Sequence, residues 1–379
     1  MDFPVSEYET RLERTQHTML AAGLDALFVM SEPEIRWFTG FRTQFWQSPT
    51  RPWFLVVPAD GKPIAIIPEI GEPLMRRSWI DDIRSWAAPA QQDDGISLLT
   101  DALSPCKTIG MLMGHETSLR MPLADLETLR ENLRHTEFSD ATKLVQHLRM
   151  VKSEAEIAVH AEICTIACNA FDRAPDLFHI GQPLNEAFRA FKIELLNQGA
   201  EDVPYLVGGV GQLGYDDVIS PPNATPLSEG DVLMLDTGST LRGAFCDFDR
   251  NFAFGHADDA VKQTHRTLWN ATQAGLDAAR PGAKASDIFQ AMQAVIGGDT
   301  GNVGRYGHGL GMQLTEQPSL IDWDQTIMEE GMVITLEPSM PIPGDGQRTG
   351  MLVHEENIVI RDGDPQLLTR RENEEIRIL

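Results

Sequence analysis

The stretch EGDVLMLD, residues 229–236, returns in altered form as EGMVITLE, residues 330–337. Both follow the pattern Glu-Gly-x-Val-x-x-Leu-acid, and the two final carboxylates stand 101 residues apart, at Asp236 and Glu337. Short apolar runs of this kind are typical of strands that are buried on both faces. We therefore predict a duplicated half-domain, in which two related strands bring Asp236 and Glu337 towards one centre.

The composition limits the class of protein. A chain of 379 residues predicts about two domains. A net charge of −25 argues against nucleic acid or an anionic membrane as a partner. No apolar run approaches the roughly 18 residues that a membrane span needs, and the charged N-terminus lacks the apolar core of a signal peptide. Because the four cysteines are scattered, we expect a reducing compartment, the cytoplasm.

Two domains are predicted, residues 1–139 and residues 140–379. In the first, a small α/β domain, residues 52–68 (PWFLVVPADGKPIAIIP) predict two strands joined by a tight turn. In the second, a long helix begins at a capping box formed by Ser153 and Glu156. The helices expected in the second domain lie near 153–172, 184–198, 258–279 and 286–296, and the expected strands include 231–236, 243–252, 332–337 and 351–360.

Further acidic residues accompany the two repeated strands. Asp247 follows Asp236 across a glycine-containing hairpin, and Glu355 follows Glu337 across a longer return rich in proline and glycine. His308 lies between glycines that let the backbone approach closely. Either acid alone would more simply cap a turn after an edge strand. Together, four carboxylates and one imidazole predict a site for two divalent metal ions, most simply Mn²⁺, with Co²⁺, Zn²⁺ or Fe²⁺ as alternatives.

These motifs resemble those of the pita-bread metallohydrolases, which include aminopeptidase P, prolidase, methionine aminopeptidase and creatinase. The matching residues are Asp236, Gly238, Asp247 and Arg250 of D-x-G…D-x-x-R, Gly307 to Gly311 of GHGxG, Glu337-Pro338 of EP, and the final acid, Glu355. The resemblance covers the whole chain. It implies an α/β N-terminal domain and an α+β pita-bread catalytic domain with a pseudo-two-fold internal repeat.

The resemblance also assigns roles to individual residues. It implies that the metal ligands are Asp236, Asp247, His308, Glu337 and Glu355, with Asp247 and Glu355 bridging the two ions. Glu337 would in addition orient the attacking water and act as general base. The implied protein is a homodimeric metallohydrolase, most simply an Xaa-Pro peptidase.

Several positions depart from the pattern of the peptidases. A histidine expected near Ile219 is missing, and Thr315 stands where a second histidine is expected. Val353 replaces the arginine that usually lies two residues before the last glutamate, a loss for which Arg348 would compensate. Without the histidines a peptide leaving group lacks its usual proton donors, and Glu316 is a candidate substitute.

The departures keep a second function open, a hydrolase or lyase of the same fold that acts on a small polar solute, as creatinase, ectoine hydrolase and dimethylsulfoniopropionate lyase do. Arg51 matches a creatinase arginine that binds a substrate carboxylate in the partner subunit's site, although it could equally be a surface residue. Trp53 would line a pocket for a cationic or apolar group, or else belong to domain packing or a dimer interface. Tyr215, after the loop-like GVGQLG, would face substrate or belong to a plain turn.

A third class, a binding or scaffold protein that has lost catalysis, is disfavoured. Inactive relatives of enzymes typically lose ligands first, and all five ligand positions are occupied here.

Overall fold

The chain divides into two units, Met1–Arg149 and Met150–Leu379. This computed structural model describes residues 1–48, 50–298, 304–343 and 350–379. The division follows the boundary predicted at residue 140 by about ten residues, because a helix that begins at Thr142 belongs largely to the first unit. Arg149, in the last turn of that helix, forms a buried ion pair with Glu34 of the same unit.

The first unit contains short helices and a six-stranded sheet. Its helices are α1 (Val5–Ala21), α2 (Glu32–Thr39), α3 (Glu72–Met75), α4 (Ile96–Leu103), α5 (Leu123–Asn132) and α6 (Thr142–Met150). Its strands are β1 (Ala26–Val29), β2 (Phe54–Pro58), β3 (Ile64–Pro68), β4 (Asp82–Trp86), β5 (Thr108–Met111) and β6 (Glu137–Asp140).

The sheet of the first unit has the order β4-β3-β2-β1-β5-β6. The predicted hairpin is present as β2 and β3, which pair in antiparallel register with Phe54 opposite Ile66. The turn between them contains Gly61 with φ +92°, a value that suits glycine. Strands β1 and β5 are parallel. Apolar side chains of the sheet pack with those of α4 and α5 to form the core of this unit.

The second unit alternates helices and strands as predicted. Its helices are α7 (Glu154–Asp172), α8 (Ala174–Leu177), α9 (Leu184–Gln198), α10 (Asp259–Ala278) and α11 (Ala285–Ile296). Helix α7 begins at the predicted capping box: the Ser153 hydroxyl accepts from the Glu156 amide at 3.2 Å, and the Glu156 carboxylate accepts from the Ser153 amide at 3.0 Å. No helix in the described ranges has the length and apolar character needed to cross a bilayer.

The strands of the second unit form two larger sheets and one separate hairpin. They are β7 (Asp202–Gly211), β8 (Val232–Leu241), β9 (Ala244–Phe245), β10 (Phe248–Ala253), β11 (His308–Gly309), β12 (Glu316–Ser319), β13 (Val333–Leu336), β14 (Ser339–Pro341), β15 (Met351–Val353), β16 (Glu356–Val359), β17 (Gln366–Leu367) and β18 (Arg377–Ile378).

The two repeated stretches occupy equivalent places in the two larger sheets. One sheet has the order β18-β10-β8-β7, with β9 beside β8, and the other has the order β12-β11-β13-β16-β17. The first repeat supplies β8, and the second supplies β13. The apolar residues of both runs are buried. Each repeated strand pairs antiparallel with the strand that follows the next predicted ligand, β10 after Asp247 and β16 after Glu355.

A buried ion pair connects the start of the second unit to the hairpin of β11 and β12. Lys152 Nζ lies 3.3 Å from Glu316 Oε2, and the two side chains are only 3% and 7% exposed. Each buried charge compensates the other in a low-dielectric interior, so removal of one charge takes away a favourable partner of the other.

Replacement of Glu316 by glutamine should therefore lower the free energy of unfolding by about 3–5 kcal/mol, measured by urea denaturation. The matched control is Asp176→Asn, which breaks the Arg173–Asp176 pair, whose side chains are 54% and 61% exposed. It should cost less than about 1 kcal/mol. Equal losses in the two variants would show that the Lys152–Glu316 pair does not stabilise the fold.

Candidate metal centre

The first half of the second unit brings Asp236 and Asp247 together. Asp236 lies within β8, directly opposite Asp249 of β10. The chain returns through β9, which pairs with the end of β8, and Asp247 immediately precedes β10. One carboxylate oxygen each of Asp236, Asp247 and Glu355 lie within 4.8 Å of one another. Such spacing allows three carboxylates to share a metal ion.

The second half supplies Glu337 and Glu355 at one end of a strand pair. Leu336, the last residue of β13, lies opposite Glu356, the first residue of β16. Glu337 and Glu355 are the next residues beyond this pair, so they leave the sheet at the same edge. The structure thus brings the acid of the second repeat to the centre where the acid of the first repeat lies.

His308 joins the two groups of acids. Its Nε2 atom lies 3.3 Å from Asp247 Oδ2 and 3.8 Å from Glu337 Oε2. Its Nδ1 atom lies 2.9 Å from the Gly309 carbonyl oxygen, which accepts a hydrogen bond from Nδ1–H of the neutral imidazole. That tautomer leaves the Nε2 lone pair directed at the acids, the usual arrangement for a metal-binding histidine. All five predicted ligands are therefore brought to one centre.

A close backbone approach explains the glycine after His308. A Cβ atom at Gly309 would lie 2.0 Å from the carbonyl oxygen of Gln317, on the neighbouring strand segment. A side chain at this position would displace the strand that carries the imidazole. The close approach inferred from the GHGxG motif is thus present.

The acids of the centre are crowded together, and three of them are shielded from solvent in a way that opposes their ionisation. Burial and the neighbouring carboxylates raise the pKa values of Asp236 and Glu355 well above their ordinary range. Burial likewise raises the pKa of Asp247 to about 6, against an ordinary value of 3.8. Ionisation of Asp247 therefore destabilises the metal-free fold increasingly as the pH rises from about 4 through about 6.

Two oxygen atoms show where a cation fits. Asp236 Oδ1 and Glu355 Oε1 are buried and lack a hydrogen-bond partner among the described residues. A buried carboxylate oxygen without a partner is costly, and a metal ion removes that cost. The donor set of oxygens and one nitrogen therefore fits divalent ions of the hard or borderline type.

Arg250 and Asn357 hold the backbone of the acids in place. The Arg250 guanidinium donates to the carbonyl oxygens of Glu355 at 2.8 Å and Asp249 at 2.7 Å, and it pairs with the buried Glu356 carboxylate at 3.0 Å. The Asn357 amide group accepts from the Asp247 backbone N–H at 3.0 Å and donates to the Asp247 carbonyl oxygen. Both are positioning residues, and only Arg250 belongs to a sequence motif.

Tyr205 was not singled out from the sequence. It lies on β7 directly opposite Gly238, the glycine of the D-x-G motif. Burial and the nearby carboxylates, Asp236 first among them, raise the pKa of its phenol. A Cβ at Gly238 would lie 3.0 Å from the Tyr205 Cβ, so the glycine lets the phenol lie across β8 towards the acids. An isolated tyrosine in a strand gives no signal of this in the sequence.

Thr315 and Glu337 are both beside Arg305, another residue that the sequence did not identify. Arg305 Nη2 donates to Thr315 Oγ1 at 3.3 Å, and Arg305 Nε lies 3.9 Å from Glu337 Oε1. Glu316, proposed from the sequence as a proton carrier, instead holds its carboxylate in the buried pair with Lys152. An acid in an ion pair of this kind is a poor proton carrier, because proton transfer would break the pair.

The other residues predicted to bind substrate have the following surroundings. Tyr215 is buried, and its hydroxyl donates to Asn251 Oδ1 at 3.2 Å and accepts from the Val353 amide at 2.7 Å. These contacts give it a packing role. Trp53 is 2% exposed and Arg51 is half-buried, both within the first unit. Arg348 lies outside the described residues.

One secondary-structure prediction was wrong. The segment GVGQLG, residues 209–214, was predicted to be a loop. Its first three residues belong to β7, where Gly209 lies opposite Met234 and Gly211 lies opposite Val232. Backbone pairing with β8 forms this strand, because the hydrogen bonds of a sheet do not require side chains on every residue.

Comparison with known proteins agrees with this geometry. The pattern of the family described as Metallopeptidase family M24 matches residues 158–362, and that of the Creatinase/Prolidase N-terminal domain matches residues 11–151. A probable dipeptidase PepE of Mycobacterium bovis is 26% identical over 378 residues, which cover 95% of this chain and 94% of that protein. An Xaa-Pro dipeptidase of Lactobacillus delbrueckii subsp. lactis is 24% identical over 372 residues, with 93% and 95% covered.

The fold is shared with a solved structure over its full length. The crystal structure of dipeptidase PepE from Mycobacterium ulcerans matches with a TM-score of 0.84 and 25% identity, and the match covers 99% of each chain. The predicted creatinase-type N-terminal domain and pita-bread catalytic domain are thereby confirmed. None of these findings supports the alternative of a solute hydrolase or lyase. Since the M24 pattern matches more than half of the chain, the protein belongs to metallopeptidase family M24 and is a hydrolase.

Proposed function

We propose that this protein is a dipeptidase that cleaves Xaa-Pro dipeptides with the help of two divalent metal ions, Mn²⁺ in the first instance. The observation that carries the proposal is the convergence of the five predicted ligands from both halves of the second unit. The similarity to an Xaa-Pro dipeptidase over nearly the whole chain supports the choice of substrate.

The residues of the centre differ in exposure, and this difference suggests a separate role for Glu337. When bound, a pair of divalent ions supplies Lewis acidity at the scissile carbonyl and makes water a nucleophile near neutral pH. Asp236, Asp247, His308, Glu337 and Glu355 would hold the ions. Glu337 has a side chain that is 22% exposed, against about 5% for Asp247 and His308, so its carboxylate faces the side from which water and substrate arrive. That position suits the general base.

The first prediction concerns metal content. Wild-type protein loaded with Mn²⁺ should retain about two ions per chain, and Asp247→Asn should lower the occupancy of both sites, because Asp247 is the expected bridge. Elemental analysis after gel filtration measures this.

A matched control is Asp249→Asn. Asp249 is also a buried acid on the strand that follows Asp247, but it does not belong to the cluster within 4.8 Å. It should leave the stoichiometry near two. Full occupancy in Asp247→Asn, or no bound metal in the wild type, would contradict the proposed centre.

The second prediction concerns turnover. A positioned proton donor typically contributes about 10²–10⁴-fold to a rate, and Thr315 cannot replace the missing histidine in this role. We expect hydrolysis of Xaa-Pro dipeptides with kcat/KM below the roughly 10⁴–10⁸ M⁻¹s⁻¹ of good enzymes. Thr315→His should raise it, and Glu337→Gln should abolish it.

The assay should offer Xaa-Pro dipeptides beside ectoine, creatine and dimethylsulfoniopropionate. Turnover of a solute without any cleavage of dipeptides would overturn the proposal. Dipeptide cleavage already as fast as in good enzymes would instead show that proton delivery does not depend on the missing histidine.

We further propose that the enzyme acts in the cytoplasm as a homodimer. All four cysteines are free thiols, which suits a reducing compartment. The resemblance of Arg51 to the creatinase arginine supports a site completed by a partner subunit. If so, mixing Arg51→Ala chains with Glu337→Ala chains should restore part of the activity in heterodimers. A catalytically active monomer at assay concentration would contradict this arrangement.

A further inference from the structure

A pocket of about 330 Å³ lies in the second unit, between the end of α7, strand β10 and the C-terminal segment of residues 370–377. Ligand sites in proteins typically measure about 300–1,000 Å³, so this pocket can hold a small molecule. Four arginines line it, namely Arg250, Arg370, Arg371 and Arg377. The chain as a whole has 31 basic and 56 acidic residues, so this pocket departs locally from its acidic character.

Arg250 is the most buried of the four arginines, and its charge is already compensated. Its guanidinium pairs with Glu356 at 3.0 Å and with Glu372 at 3.2 Å, and both carboxylates are at most 5% exposed. Burial lowers the pKa of Arg250, but the two carboxylates outweigh this effect and raise the pKa above its ordinary value. Arg250 is therefore a structural part of the pocket wall.

The three outer arginines share one carboxylate among the residues that line the pocket. Arg370 Nη2 lies 2.6 Å from Asp172 Oδ2, and Arg377 Nη1 lies 4.0 Å from Asp172 Oδ1. Arg371 forms no ion pair with a described residue, and Glu372, the other carboxylate in the lining, is paired with Arg250. The outer guanidinium groups therefore exceed the carboxylate available to them by two charges.

The surroundings of Arg371 show the cost of this excess. Its guanidinium lies 3.8 Å from the centre of the Trp269 ring, and it donates to the Trp269 carbonyl oxygen at 3.1 Å and to the Gln273 side chain. Its Nε atom is buried and has no hydrogen-bond partner among the described residues. Burial lowers the pKa of Arg371, although neighbouring carboxylates oppose the effect. A bound anion would supply both an acceptor and the missing negative charge.

We propose that this pocket binds a phosphate dianion, either inorganic phosphate or the phosphate group of a small ester. A phosphate group near neutral pH carries about 1.5–2 negative charges, which matches the excess positive charge of the outer arginines. Guanidinium groups bind phosphate oxygens through paired, directional hydrogen bonds. Phe171 in the pocket wall would give the organic part of an ester an apolar contact. Binding here is independent of the proposed function, because none of the predicted metal ligands lines the pocket.

Isothermal titration calorimetry of Mn²⁺-loaded protein with inorganic phosphate, glycerol phosphate and acetate tests the proposal. Wild type should bind at least one of the two phosphates, and more tightly than acetate. Arg377→Gln should weaken phosphate binding at least about tenfold, because it removes a charged donor. Asp172→Asn should strengthen it, because it removes the carboxylate that competes for Arg370 and Arg377. Arg280→Gln is the control and should change nothing, since Arg280 has a similar exposure of 34% and pairs with Asp364.

The gain expected in Asp172→Asn cannot arise from damage to the fold, so the test stands even if an arginine variant folds poorly. Asp247→Asn, which weakens the metal centre, should leave the affinity for phosphate unchanged. Loss of binding in Asp247→Asn but not in Arg377→Gln would show that phosphate binds the metal ions and that the proposal is wrong. No binding in wild type, equal affinity for acetate, or no gain in Asp172→Asn would also overturn it. Tighter binding of glycerol phosphate identifies an ester as the ligand, and equal or tighter binding of inorganic phosphate identifies the free ion.

Discussion

Repulsion among buried carboxylates is the constraint on which the second unit depends. Two strand pairs bring Asp236, Asp247, Glu337 and Glu355 to one centre. Burial opposes the ionisation of Asp236, Asp247 and Glu355. A protein would not accumulate such charge to stabilise its fold, because each uncompensated carboxylate costs free energy. Protonation of the acids removes part of this cost, and bound cations remove it while the acids stay ionised. The repeated Glu-Gly-x-Val-x-x-Leu-acid stretches reflect this constraint in the sequence, since each places an acid directly after a buried apolar run.

Rigidity around the acids comes from groups that are themselves fully paired. Arg250 uses its guanidinium to connect the backbone on both sides of the centre, and Asn357 brackets the backbone of Asp247. The Lys152–Glu316 pair supports the hairpin that carries His308. These contacts fix the acids against their own repulsion before any metal binds, which is the preorganisation that catalysis by fixed charges requires. One side of the centre is accessible to solvent, because the side chains of Arg305 and Glu337 there are partly exposed.

The sequence was most informative where local pattern and chemistry coincide. The convergence of the five candidate ligands, the capping box at Ser153 and the hairpin of β2 and β3 were all expected from motifs, apolar periodicity and turn residues. Tyr205, Asn357 and Arg305 could not be found this way, because strand pairing and the packing of distant segments create their roles. The glycine-rich segment that contains Gly209 and Gly211 was predicted to be a loop. Its first residues form part of a strand, because their backbone pairs with β8. The sequence also suggested Glu316 as a proton carrier. Its ion-pair partner Lys152 is 164 residues away in the chain, so this contact could not be predicted from local pattern.

The central claim is that the acids of the two halves together hold two metal ions. Anomalous X-ray diffraction from crystals soaked in Mn²⁺, recorded above and below the manganese edge, tests it most directly. The account predicts two anomalous peaks about 3.5–4 Å apart, both in contact with the carboxylates of Asp247 and Glu355. No peak at this centre, or peaks only at surface acids while the centre stays empty, would contradict it.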